Sequence, residues 1–348
     1  MKHIGLDVHS TTTNIVVLND AGRRLLSRKV ATTAKELREV ISSIPGDKRL
    51  AVEESQMADW VVRELAPLVQ EIIRCQPQYN RLISRSEDKY DEGDAESLAV
   101  LLRLNELKPV HHPVWEFRLF REAVRSYWLR SRDLARAKNR LKAFFLFNGI
   151  HEPSKRIYAQ RYREGFRDQL RQRRGNLELA ESLWEDVAYC RQKKAQHVRL
   201  MRPAGKPWAA EIARLQSIPG VGVIGAHTLV AYLERGYRFR NKRQVWSYAG
   251  LGLRRKESAE RGFRKASRCG NRYVKNVIFL GVANIAAGQR RHALWEMWQQ
   301  GMVSGVDARR MRRNVGRKML AIAQQLLRSG ERYTDDRVKR STTGSRQQ

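Results

Sequence analysis

Over the first hundred positions apolar residues alternate with polar ones in short runs, the period of half-buried strands, and each run ends at turn residues. Residues 3–9, 12–19 and 24–31 read as three consecutive strands. Asn19-Asp20-Ala21-Gly22 joins the last two as a hairpin turn in which Gly22 can take positive φ. A helical spacing follows over Ala34–Ile44 and stops at Pro45-Gly46. A strand at 49–54, a helix at about 57–66 closed by Pro67, and a strand at 71–76 come next. A last helix starts near Asp94 and runs through Leu98, Leu101 and Leu102. From about 115 to 200 the pattern turns helical, with Phe117, Phe120, Val124, Trp128, Leu134, Leu141 and Phe145 on one stripe, and Gly149 and Pro153 break it. A second helical stretch spans about 157–200. Two long helices packed as a hairpin, or a dimerising coiled coil, would accommodate these residues. Pro203-Ala204-Gly205-Lys206-Pro207 reads as a linker, 208–332 as a further unit, and 333–348 as a disordered polar tail.

Four acidic residues stand out against this pattern. Asp7 lies inside the apolar run Ile4-Gly5-Leu6-Asp7-Val8, and Glu53 ends the run Leu50-Ala51-Val52-Glu53. Asp91 and Asp94 form a D-x-x-D pair leading into the last helix of the first unit. A carboxylate at the end of a buried strand is costly to desolvate unless something positive sits beside it. Converging carboxylates without an equally regular set of basic partners point to a divalent cation held by hard oxygen ligands, Mg²⁺ first and Mn²⁺ as the other candidate. Three strands, helix, strand, helix, strand, helix is also the element order of the ribonuclease H-like fold. In that fold acidic residues stand on the first strand, the fourth strand and near the start of the last helix. The expected fold is therefore an α/β ribonuclease H-like domain at 1–112, a basic helical connector at 113–202, and a mainly α-helical domain at 208–332.

The charge distribution sharpens this reading. The chain of 348 residues carries 68 Lys+Arg against 36 Asp+Glu, a net charge of +32. Residues 1–110 hold 16 basic and 17 acidic residues, and the other 238 hold 52 and 19. The carboxylate-bearing part is near neutral, and the excess positive charge lies downstream, as a polyanionic partner requires. Charge alone also fits a ribosome-associated or simply basic protein. Cys75, Cys190 and Cys269 form neither a zinc spacing nor a disulfide framework, which fits a reducing cytoplasm. No leader pattern or membrane-length apolar run is present, so a cytoplasmic protein without a membrane role is expected.

The downstream unit carries a second constellation. Ile218-Pro219-Gly220-Val221-Gly222 reads as a tight turn between two helices, able to offer the backbone N–H groups around Gly220 and Gly222 to a DNA phosphate. A purely structural helix turn would also need glycine. Tyr248-Ala249-Gly250-Leu251 then leads into a stretch containing Arg254, Arg255, Ser258 and Ala259, followed by Lys265, Ser267, Arg268, Asn271 and Arg272. A serine flanked by arginines is suited to attack a phosphodiester, because the cations stabilise charge on the phosphoryl oxygens. Ser258 and Ser267 could equally hydrogen-bond phosphate.

In this order the motifs resemble the DEDD insertion-sequence transposases, the group that includes the pilin-gene invertase Piv and the bridge-RNA-guided recombinases. The resemblance spans about residues 3–290. It rests on Gly5-Leu6-Asp7, Val52-Glu53-Glu54-Ser55, Lys89-Tyr90-Asp91-Glu92-Gly93-Asp94-Ala95, and the I-P-G-x-G, A-G-L and G-N-R signatures. It implies a RuvC-like domain with Asp7, Glu53, Asp91 and Asp94 as a metal-binding tetrad, and a transposase domain in which Ser258 is the nucleophile. Two positions depart from the family pattern. Glu54-Ser55-Gln56 follows the glutamate, which makes Glu54 a rival ligand. Ala259 follows the serine, which leaves Ser267 as the alternative nucleophile. The implied activity is Mg²⁺-dependent strand cleavage and exchange through a serine–DNA link, guided by a structured RNA. Donor and target DNA are the implied partners, a homodimer or homotetramer the implied assembly, and the nucleoid the implied place of action. Competing readings are a resolvase-like endonuclease that uses water, an actin-like kinase or ATPase sharing the Ile4-Gly5-Leu6-Asp7 opening, and an inactive nucleic-acid binder.

Overall fold

The computed structural model describes residues 1–76, 91–256, 263–266 and 270–336; at 91–92, 253–256 and 263–266 this covers the backbone only. Two compact units divide at His112/Pro113. In the first, β1 (Lys2–Val8), β2 (Thr12–Leu18) and β3 (Arg24–Ala31) precede α1 (Ala34–Ser43), β4 (Lys48–Glu53), α2 (Ala58–Leu65), β5 (Glu71–Cys75) and α3 (Asp91–Arg103). The strands form one mixed sheet in the order β3-β2-β1-β4-β5, in which β1 runs antiparallel to β2 and parallel to β4. Edge strand β3 is mostly exposed and carries Arg24, Arg28 and Lys29, charges that discourage further strand pairing.

Alternation along the strands sorts residues between two helical layers. Ile4, Leu6, Ile15, Val17, Leu50 and Val52 pack against α1 and α2. The opposite face, with Val16, Leu18 and Ala51, packs against α3 through Ala95, Leu98, Ala99 and Leu102. Thr33 caps α1 by accepting from Glu36 N–H at 3.2 Å, which explains why that helix begins where it does. The mixed sheet between helical layers is compatible with a ribonuclease H-like domain.

The second unit is helical. It comprises α4 (Trp115–Phe147), α5 (Arg163–Gln172), α6 (Leu177–Ala204), α7 (Ala209–Gln216), α8 (Val223–Leu233) and α9 (Lys242–Tyr248). A two-stranded ribbon β6 (Leu253–Lys256)–β7 (Phe263–Ala266) is followed by α10 (Arg272–Ala287), α11 (Ala293–Val303) and α12 (Ala308–Ser329). Helices α4 and α6 pack as a hairpin within the chain. Leu134, Ala137, Leu141 and Phe145 of α4 meet Ala180, Trp184 and Val187 of α6, and Trp184 Nε1 donates to Ile157 O at 2.8 Å. The stretch read as one helix over 157–200 is two, parted at Gly175-Asn176. Gly175 packs on Leu170 and Asn148, and Asn176 caps α6.

Two sequence expectations about boundaries give way. Residues 203–207 are a packed junction: α6 continues through Pro203, Gly205 sits against the His227 ring, and Trp208 is buried. The first half of α4 (Phe117, Phe120, Val124, Tyr127) shares a core with Trp208 and the downstream helices, so no core boundary falls near 202. Tyr333 and Asp335, expected in a disordered tail, are anchored. Tyr333 N donates to Ser217 Oγ at 2.9 Å, and Asp335 accepts from Ala293 N at 3.1 Å. Among the described residues, no helix is long and apolar enough to cross a membrane, and neither Cys75 nor Cys190 is in a disulfide. Cys269 lies outside the described residues.

Candidate active site and nucleic-acid interface

The position of α3 depends on Gly5. A Cβ there would lie 1.9 Å from Ala95 O and 2.7 Å from Ala99 N, so the helix rests directly on β1. At its far end Arg103 reaches Gly22 and Asp20 O, while Asp20 accepts from the amino group of Met1 at 2.7 Å and bonds His3. Helix α3 therefore runs antiparallel to β1, and its first turn, with Asp91 and Asp94, lies at the end of the strand that carries Asp7.

Register completes the arrangement. Gly5 and Asp7 share the α3-facing side of β1, as Ala51 and Glu53 share that side of β4. Leu6 pairs with Val52, so Asp7 and Glu53 come next on adjacent parallel strands, whose backbones are about 5 Å apart. Asp7 is half-buried and its Oδ2 lies 2.8 Å from His9 Nε2; Asp94 is exposed. Asp91 is the first residue of α3, and its side chain is not among those described. Glu54 follows the strand end, with Oε2 3.3 Å from His112 Nε2. Arg74 donates to His112 Nδ1 at 2.7 Å and to Asp59, which leaves the imidazole proton on the nitrogen facing Glu54. Glu53 is thus the glutamate aligned with Asp7, and Glu54 engages a histidine.

Asn14 escaped the sequence reading. It pairs with Asp7 across β1–β2, and opposite residues of an antiparallel pair point to the same face, so it sits beside Asp7 on the α3 side. It is buried. A polar residue at an inward position of an otherwise apolar strand was the available signal. Among the described residues no three His, Cys, Asp or Glu side chains form a cluster able to hold a metal. Asp7 and Glu53, set by the register on neighbouring strands, offer carboxylate oxygens, the donor type that hard divalent cations take.

In the second unit α7 and α8 meet at the predicted glycine turn. Gly220 has φ +81°, and a Cβ on it would meet Gly281 O of α10 at 2.3 Å, so the turn is pressed onto that helix. Gly222 faces open space and begins α8 without a side-chain cap, which leaves the first-turn N–H groups available to a ligand. The turn borders an open cleft of about 720 Å³ whose wall also includes Asn284, Arg290, Arg291 and His292.

The A-G-L and G-N-R segments form the base of the β6–β7 ribbon. A Cβ on Gly270 (φ +151°) would meet Gly250 N at 2.3 Å, so the chain leaves and returns at one point. Asn271 is employed in the fold: its Oδ1 caps α10 at Tyr273 N (3.0 Å) and Val274 N (3.1 Å), and its Nδ2 donates to Tyr248 OH at 2.9 Å. Arg272 is exposed over the Tyr273 ring. On the ribbon Arg254 pairs with Lys265, and Arg255 with Arg264. Ser258, Ser267 and Arg268 lie outside the described residues. Positive charge outnumbers negative in this unit. Burial lowers the affinity of Lys138 for its proton, and Arg191, Lys194 and Lys155 push it further the same way. Burial, then Lys242, does the same to Lys318.

Comparison with known proteins bears on both regions. A family model described as the Transposase IS116/IS110/IS902 family matches residues 212–296, taking in the glycine turn and the ribbon base. A second, for transposases of the DEDD IS110 type, matches residues 4–148, taking in the sheet and α3. The chain belongs to the IS110-type DEDD transposases. These are domains of DNA-cleaving and recombining enzymes. A Sinorhizobium fredii protein named as transposase y4qE is 27% identical over 191 residues, 55% of this chain and 46% of that protein. The chain thus spans about half the length of that curated relative.

Proposed function

We propose that this protein is a DNA transposase that cleaves and exchanges strands at an acidic site built on a RuvC-like, ribonuclease H-like first unit. The observation that carries the reading is the alignment of Asp7 and Glu53 on adjacent parallel strands, with the first turn of α3 at the same strand ends. Asp7, Glu53, Asp91 and Asp94 are the residues that would hold divalent metal, Mg²⁺ by preference. Such ions supply charge stabilisation at the scissile phosphate and at the attacking and leaving oxygens. His9 holds the Asp7 carboxylate from the solvent side.

The second unit supplies binding. Its glycine turn offers N–H donors to a phosphate, with Arg290 and Arg291 on the same cleft, and the ribbon adds Arg254, Arg255 and Lys265. Ser258, which falls between β6 and β7 in the sequence, is the nucleophile in this scheme. Its oxygen displaces a strand end and keeps the phosphodiester energy in a serine–DNA link, so rejoining needs no nucleotide cofactor. Family resemblance supports a structured guide RNA and a symmetric dimer or tetramer presenting paired sites. Family resemblance likewise supports a cytoplasmic, nucleoid-associated place of action.

The test uses the full chain with a supercoiled donor plasmid and Mg²⁺. Asp94→Asn should abolish cleavage while DNA affinity holds, and cleavage at the normal rate would remove Asp94 from the site. Ser258→Ala should abolish covalent protein–DNA adducts. Persistent adducts would point to Ser267, and cleavage without any adduct in the unsubstituted protein would favour water as nucleophile.

A further inference from the structure

Beneath the ribbon lies a pocket that neither the motifs nor the catalytic scheme uses. It encloses about 210 Å³ between α10 and the start of α12, and Gly250-Leu251 of the ribbon base lines it together with Lys275, Phe279, Arg309, Arg312 and Arg313. The helices approach closely because Gly316 packs on Ile278, Leu251 and Phe279. That brings cations from two elements to one mouth. None of the four is in an ion pair among the described residues. The nearest acid along the helix, Asp307, is spent capping α12 at Arg310 N (2.9 Å).

Phe279 explains how the cluster is held open. The Arg312 guanidinium lies over its ring at 4.4 Å, and Lys275 Nζ is 5.8 Å from the same centroid. A cation on an aromatic face gains electrostatic energy without giving up its N–H donors. Arg312 is thereby positioned while its fork stays free for a bidentate acceptor. Beside it, Arg317 donates to Leu251 O at 2.7 Å, fixing the ribbon base against α12, and burial, then the charge of Arg313, lowers the proton affinity of that guanidinium. Four uncompensated cations around a small pocket repel one another, so their placement is stable in company with a polyanion.

We infer that Lys275, Arg309, Arg312 and Arg313 form a phosphodiester-binding subsite that grips a nucleic-acid backbone at the base of the β6–β7 ribbon. This rests on the nucleic-acid-binding role proposed above and adds a location to it. The pocket acts by neutralising phosphate and by anchoring the strand at the base of the β6–β7 ribbon. DNA and RNA share this chemistry.

Salt dependence of binding decides the matter. Log affinity falls linearly with log salt, by about 0.9 per phosphate contact for duplex DNA and about 0.7 for single strands. The full chain would be titrated against a mixed-sequence DNA duplex, single-stranded DNA and single-stranded RNA. The Arg309→Gln/Arg312→Gln/Arg313→Gln protein should lose roughly 2 to 3 units of slope on at least one probe. The probe affected identifies which backbone is held. A charge-matched triple on the exposed edge strand β3 and the turn before it, Arg23→Gln/Arg28→Gln/Lys29→Gln, should lose less than one unit. The Arg→Lys triple at the pocket should restore the slope at reduced affinity. Lys275→Gln, on a different helix, should lower it by about 0.9 alone and guards against misfolding of the triple. Equal slope loss in the pocket and control triples on every probe would overturn the subsite while leaving nucleic-acid binding in place. Failure of the unsubstituted protein to bind any probe with salt-dependent affinity would overturn both readings.

Discussion

A hydrogen in place of a side chain at Gly5 lets α3 lie on β1, and the acid-bearing turn of α3 is brought to Asp7 by that contact. Next to Asp7, Asn14 occupies a buried inward position among Val16 and Leu18. Burying an amide costs free energy unless it is satisfied, which makes a buried asparagine beside Asp7 a candidate for substitution. Asn14→Ala should fold at a modestly lower melting temperature yet lower single-turnover DNA cleavage by roughly 10- to 100-fold, the usual loss when a residue supporting a metal ligand is removed. Cleavage at the unsubstituted rate would show that Asn14 is a packing residue. Asp7 and Glu53 stood out in the sequence because a carboxylate interrupts or ends an apolar run, and Asp91 and Asp94 because they form a D-x-x-D pair leading into a helix. Asn14 did not, because a single polar residue in a strand has many structural explanations.

At the scale of elements, the strands and helices of the first unit follow the sequence periods closely: the helix expected at about 57–66 spans Ala58–Leu65, and the strand expected at 49–54 spans Lys48–Glu53. Periodicity is a local property, and it survives into the fold. Punctuation by proline and glycine is weaker evidence, because the same residues mark a loose linker and a tight turn. Pro203–Pro207 is the second kind, since Trp208 and His227 close over it. Gly220 shows the cost of such packing. Gly220→Ala combines an unfavourable positive φ with a collision against Gly281 O and should destabilise the second unit by about 3 kcal/mol or more in urea unfolding. His227, in α8, is buried, its Nδ1 donates to Val223 O at 2.8 Å, and burial lowers its proton affinity below the usual 6.5. The unfolded chain takes up the proton first on acidification. Stability from this group is therefore complete above about pH 6.5 and is lost as pH falls through that value toward the folded one. His197 and His292 shift in the same direction, also through burial. The melting temperature of the second unit should drop between about pH 7.5 and about pH 5.5, and His227→Gln should shrink the drop.

For the whole molecule the decisive quantity is charge. A net +32 held almost entirely downstream of residue 110 makes binding a matter of counterion release. With about 6 to 10 phosphate contacts, affinity for mixed-sequence DNA should fall roughly 10³-fold or more between about 50 and about 200 mM salt, as read by fluorescence anisotropy. A flat response would mean the basic surface serves another purpose. The sequence by itself determined the elements, the acidic residues and the side of the chain that carries positive charge, because hydrophobic period and formal charge are written residue by residue. Tertiary structure alone decided that Asp7 and Glu53 stand abreast, that Asn14 joins them, and that arginines of α12 meet a lysine of α10 around Phe279. Strand register and helix approach depend on contacts between residues far apart in the chain, and no local pattern encodes those distances.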